Sequence, residues 1–168
     1  MPWLCLLLLG TVPAAKSDDT PRPGRAVHGL RLQLMKKRSV ITSGGPTVML
    51  LRLVNEGERP VGVVLRRDAY PEAFVEVTLK DAAGQPVALP QPETRRPERS
   101  DLQRLEVGAW LEREVTLPLM AGGKHTMTAV FHQHPRSLKG EGLAVWDGDV
   151  ASNTLTLHVI HVKTTPKR

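Results

Sequence analysis

His132-Gln133-His134 is the sharpest chemical constellation in the sequence. On a strand, alternate side chains share a face, so the two imidazoles project the same way. Such a pair holds a zinc or copper ion once a third donor arrives from elsewhere. The last apolar stretch carries His158 and His161. Either supplies that donor if the last strand lies beside the one bearing His132. The opposing reading is a pair of solvated side chains at a strand end, running into Pro135 and a basic loop.

Other patterns carry less. Asp147-Gly148-Asp149 followed by Asn153 suggests calcium. Calcium takes six to eight oxygens, and an EF-hand loop ends in glutamate, whereas the corresponding position here is His158. The segment is expected to be a turn feeding the last strand, with Trp146 packed over the edge. Gly122-Gly123-Lys124-His125-Thr126 lacks the hydroxyl residue directly after the lysine that a phosphate loop needs. No nucleophile elbow, zinc-protease helix or dinucleotide fingerprint is present. Glu112 and Glu114 alternate on one face beside Arg113 and Lys124, which implies solvation and not a pKa-split catalytic pair. These patterns predict a protein that is not an enzyme and holds no resident cofactor.

The elements that must position these residues are strands. Leu30, Leu32 and Leu34 alternate with polar neighbours, and the apolar run Thr47 to Asn55 predicts a central strand. Val61, Val63 and Leu65 alternate next, then Val75, Val77 and Leu79. Asp81-Ala82-Ala83-Gly84 predicts a hairpin turn into Pro86-Val87. Ser100 to Leu105 is expected as a short irregular strand, with a single helical turn capped by Ser100 as the alternative. Val115, Leu117 and Leu119 share one face, as do His125, Met127, Ala129 and Phe131. Leu155, Leu157 and Val159 line the last strand. Fourteen glycines and fourteen prolines supply many turns, and no segment sustains a helical period. The expected fold is all-β, an immunoglobulin-like β-sandwich of about seven or eight strands.

The 168 residues set a one-domain prior, long enough to bury a core without disulfides or metal. Residues 1–16 are expected to be a signal peptide, with the uncharged run Trp3 to Val12 as its apolar region. Residues 17–26 are expected as a flexible linker, 27–162 as the sandwich and 163–168 as a basic tail. Cys5, the one cysteine, falls in the signal peptide, so the mature chain has no thiol for a disulfide, a zinc ligand or a nucleophile. No membrane span is expected in the mature chain.

The net charge of +6 comes from short clusters: Lys36-Lys37-Arg38, Arg66-Arg67, Arg95-Arg96 with Arg99, and the tail. A groove for single-stranded nucleic acid interleaves aromatics for stacking. Only Tyr70 and Phe74 lie near a cluster, so no specific nucleic acid is expected.

Five stretches carry a family resemblance: Asn55-Glu56-Gly57; Val75 to Gly84; Leu105-Glu106-Val107-Gly108; Gly123 to Phe131; and Trp146 to Asn153. In this order the chain resembles immunoglobulin-like modules of exported bacterial proteins. Its middle is also similar to the intracellular proteinase inhibitor domains of bacilli. Where such modules often carry a tyrosine, this chain has His125, which removes a tyrosine-type corner hydrogen bond. Fold resemblance alone does not carry function. The apolar leader and the cysteine-free mature chain point to a bacterial protein of the periplasm or extracellular space. A sandwich without catalytic motifs or thiols points to a non-enzymatic binding or structural module of the envelope. Its partner is then another protein, met through end loops. Arg95, Arg96 and Arg99 in one loop, and Arg136 and Lys139 in another, are the candidate contacts. Alternatives are a protease inhibitor acting through the Pro90 to Pro97 loop and an envelope metal-binding protein using His132 and His134.

Overall fold

The computed structural model describes residues 24–65, 72–90, 98–118, 120–136 and 142–161. The signal peptide, most of the linker, the basic tail, Arg66, Arg67, Leu119, Arg95, Arg96, Lys139 and most of the Pro90 to Pro97 loop lie outside the described residues.

The fold is all-β, built mainly from antiparallel sheets, none of them closed. The first sheet has the order β1-β3-β7, formed by Leu30–Lys36, Thr47–Asn55 and Trp110–Leu117. β3 is central, as its apolar character requires, and buries every second residue. The second sheet is built around β8 (Gly123–Gln133). β5 (Ala73–Lys80) runs along one edge of β8. The other edge is shared: β10 (Leu155–Ile160) covers Gly123 to Met127, and β9 (Gly148–Ala151) covers Val130 to Gln133. β2 (Ile41–Thr42) joins β10 in parallel. A small sheet pairs β4 (Val61–Val63) with β6 (Gln103–Leu105).

The two large sheets turn apolar faces onto one core. Leu32, Leu34, Met49, Leu51, Leu53 and Val115 from the first join Leu79, Met127, Ala129, Phe131, Val150 and Leu157 from the second. Full burial of such a side chain contributes about 1.5–3 kcal/mol, which makes the alternating apolar faces the main stabilising term.

Turn chemistry follows the residues. The Asp81 carboxylate accepts from Ala83 N and Gln85 N, both at 2.9 Å, and Gly84 takes φ +79°. The segment Arg99–Asp101 forms a 3-10 turn and β6 follows at Gln103, so the stretch combines a helical turn with a short strand. Its cause is local: the Asp101 carboxylate accepts from Glu98 N at 2.9 Å and closes the turn.

Three buried side-chain amides do the work of missing main-chain pairs. Asn55 donates to Arg59 O and Leu105 O and accepts from Gly57 N. Asn153 joins the two large sheets through Leu34. Gln133 accepts from Val64 N at 2.8 Å and donates to Gly62 O and Trp146 O at 3.1 and 2.7 Å. Buried polar groups persist only when bonded, and each amide meets that condition on both its oxygen and its nitrogen.

Candidate metal centre

β8 alternates inward and outward, which decides the site. Phe131 and Gln133 are fully buried, so His132 between them and His134 after them face outward. Across β8, His132 stands opposite Phe74 on β5 and Asp149 on β9. The Phe74 and His132 rings stack at 4.5 Å between centroids. His134 is held at the end of the ladder by its main chain, N to Glu72 O at 2.7 Å. The site therefore sits on three adjacent strands and not on a free loop.

Asp149 is the focus. Its Oδ1 accepts from His132 Nδ1 at 2.7 Å and from His134 Nε2 at 3.0 Å. The nitrogens on the far sides of the rings also face carboxylates. His134 Nδ1 donates to Asp147 Oδ1 at 2.9 Å, and His132 Nε2 lies 3.5 Å from Glu76 Oε2. Ionised carboxylate oxygens accept only, so carboxylates on both nitrogens favour the imidazolium form of His134. The hydrogen bond to Asp147 is the largest influence raising its pKa above the ordinary histidine value; partial burial opposes it, and Asp149 reinforces it. Burial acts to raise the Asp149 pKa, but is outweighed by the hydrogen bonds and positive charge of His132 and His134. The carboxyl is held below its ordinary range.

One donor atom from each of His132, His134 and Asp149 lies within 4.8 Å of the others. Around a zinc ion with bonds of about 2.0–2.1 Å, tetrahedral ligands stand roughly 3.3 Å apart. The observed 2.7 and 3.0 Å need only a small outward movement once protons leave the facing nitrogens. Asp147 then remains on the distal nitrogen of His134, where metal-ligating histidines usually carry a carboxylate that orients the ring. Glu76, 3.5 Å from His132 Nε2, makes no hydrogen bond to it and contributes charge alone. Gly148, between the two aspartates, has φ +143°, and an added Cβ there meets Trp146 Cη2 at 3.4 Å.

The expected third ligand is corrected. His158 pairs with Lys124, at the opposite end of β8 from His132. At about 3.3 Å per residue that is roughly 26 Å away. His161 lies near Ser43, with Oγ to Nδ1 3.4 Å. β10 runs antiparallel to β8, so its end returns to the start of β8. Asp149 replaces both histidines. Its detectable signal was that Asp147 and Asp149 alternate as His132 and His134 do.

The remaining candidates do not gather into a site. Arg136 is exposed, and its main-chain N donates to Glu72 Oε2 at 3.2 Å. Arg99 contributes its main chain to the 3-10 turn. Glu112 and Glu114, expected as solvated side chains beside Arg113 and Lys124, pair with Arg52 and Lys37 across the outer face of the first sheet. The registry explains it: Arg52 stands directly opposite Glu112, whereas Lys124 belongs to the other sheet. Arg52 also lies 5.2 Å from the exposed Trp110 ring. His125 is buried in the core, and its Nδ1 has no hydrogen-bond partner among the described residues.

No protein-family model matches this chain, and no curated protein matches it either. No helix among the described residues is long and apolar enough to cross a membrane.

Proposed function

We propose that this chain is an exported, non-enzymatic β-sandwich of immunoglobulin-like architecture, of bacterial origin, that binds a divalent transition metal through His132, His134 and Asp149. The observation that carries the reading is the Asp149 Oδ1 atom standing 2.7 and 3.0 Å from two imidazole nitrogens that share one sheet face. Two nitrogens and one oxygen suit zinc or copper, and copper(II) binds such a set more tightly than zinc. The set is poor for calcium, which takes six to eight oxygens. The apolar core lies on the inner faces of the sheets, so the metal is cargo or an adhesive group and not the element that folds the domain.

The test is calorimetric titration of metal-free protein with zinc, copper(II) and calcium. The expected result is one zinc or copper ion per chain, lost in the H132A/H134A double variant, and no response to calcium. Equal affinity for calcium, or unchanged zinc and copper binding in the double variant, would sink the reading.

A further inference from the structure

The coordination sphere these residues offer is open on one side, and its charge selects what can close it. This inference rests on the metal-binding reading above. All three donors rise from the outer face of one sheet, because the residues between and beside them, Phe131, Gln133 and Val150, point into the core. His134 and Asp149 are 53% and 54% exposed, so the hemisphere above the donors faces solvent. Three protein ligands leave a fourth tetrahedral position for a group from outside the chain.

The surrounding charge is negative. Asp149 enters as a ligand, Asp147 sits on the distal nitrogen of His134, and Glu76 sits near that of His132. Among the described residues, the ion-pair partners of these three carboxylates are His132 and His134 alone. Both imidazoles become neutral as ligands. A divalent ion together with three carboxylates then leaves a net charge of about −1, which repels an incoming anion and leaves a neutral donor unaffected.

We propose that the metal held by His132, His134 and Asp149 keeps a solvent-facing coordination position that takes a neutral nitrogen donor, an imidazole side chain presented by a partner, and discriminates against anions. The domain then meets its partner through a shared ion, at the end of the second sheet where β5, β8 and β9 converge.

The experiment uses the copper(II)-loaded full chain, with free imidazole and azide as probes, read by electron paramagnetic resonance and visible absorption. Imidazole is expected to saturate a single new spectrum. The E76Q variant, which removes a charge from an exposed side chain without touching the metal, is expected to raise azide affinity about threefold. That is the effect of a unit charge at several ångströms through a water-like dielectric. Imidazole affinity should stay the same in that variant. A copper spectrum indifferent to imidazole would show a closed sphere and overturn this inference while leaving metal binding intact. So would azide affinity unmoved by E76Q. Failure to take up copper at all would overturn both.

Discussion

Asn153 pairs with both main-chain groups of Leu34: Leu34 N donates to its Oδ1 at 2.8 Å, and its Nδ2 donates to Leu34 O at 3.2 Å. One side chain from the break between β9 and β10 thus bonds as a strand residue would to β1, in the other sheet. The same break keeps the β8 ladder continuous. Ser152 N donates to Ala129 O, and Ser152 Oγ accepts from Ala129 N, at 2.8 and 2.9 Å.

Removing that clamp strands two buried main-chain groups. Each unsatisfied group costs about 1–3 kcal/mol, so N153A is expected to lose about 2–4 kcal/mol. That is a large part of the roughly 5–15 kcal/mol available to a domain. Urea denaturation followed by circular dichroism checks it. A midpoint unchanged from the parent would refute the role of the clamp.

Gln133 ties the site to the core. It sits between the two candidate ligands in sequence, yet its amide is buried against Val64, Gly62 and Trp146. Q133L leaves Val64 N and Trp146 O unbonded, whereas Gly62 O keeps its bond from Trp146 N, and is expected to destabilise the fold by about 2–4 kcal/mol. It should also weaken zinc binding by about tenfold, the lower end of what outer-shell changes cost. N153A, remote from the donors, should leave zinc affinity within about twofold. Equal affinity in Q133L and the parent, measured by calorimetry on folded protein, would separate the core from the site.

The metal-free protein should show its carboxylate–histidine network in pH titrations. His134 has a raised pKa, first through its hydrogen bond with Asp147, so its stabilising contribution is full below the unfolded histidine pKa. It is lost as pH rises through the folded value. Asp149 has a lowered pKa, so its contribution is present above the unfolded carboxyl value and lost as pH falls through the folded one. Both effects are small, because both side chains are more than half exposed. Imidazole proton NMR is expected to show His134 titrating above the ordinary histidine range, and D147N is expected to move it back down. A His134 titration unaffected by D147N would contradict the geometry.

Much of this fold is legible because its strands are amphipathic. The alternations through Leu30 to Leu34, His125 to Phe131 and Leu155 to Val159 each predict the buried face that the structure has. Asp81 to Gly84 announces its turn through residues with one favoured local geometry. The site is half legible. Period two places His132 and His134 together on one face, but the burial of the polar Gln133 between them has no hydropathy signal and comes from its bonds to Val64, Gly62 and Trp146. Asp149 was hidden for a topological reason. β9 has only four residues, its first two belong to Asp147-Gly148-Asp149, which reads as a turn, and it shares the edge of β8 with β10. Sequence pattern alone gives no registry for two short strands laid end to end. The cross-strand partners of Glu112 and Glu114 are illegible for the same reason, since such pairs depend on registry and not on proximity in the chain.

The most direct test of the metal-binding account is zinc titration of the D149N variant, with the parent chain beside it. Asp149 is exposed and outside the core, so the variant should match the parent's stability in urea denaturation to within about 1 kcal/mol. The account predicts that the parent binds one zinc per chain and that D149N loses at least about a hundredfold in affinity. Parent-like zinc binding by a folded D149N protein would contradict it.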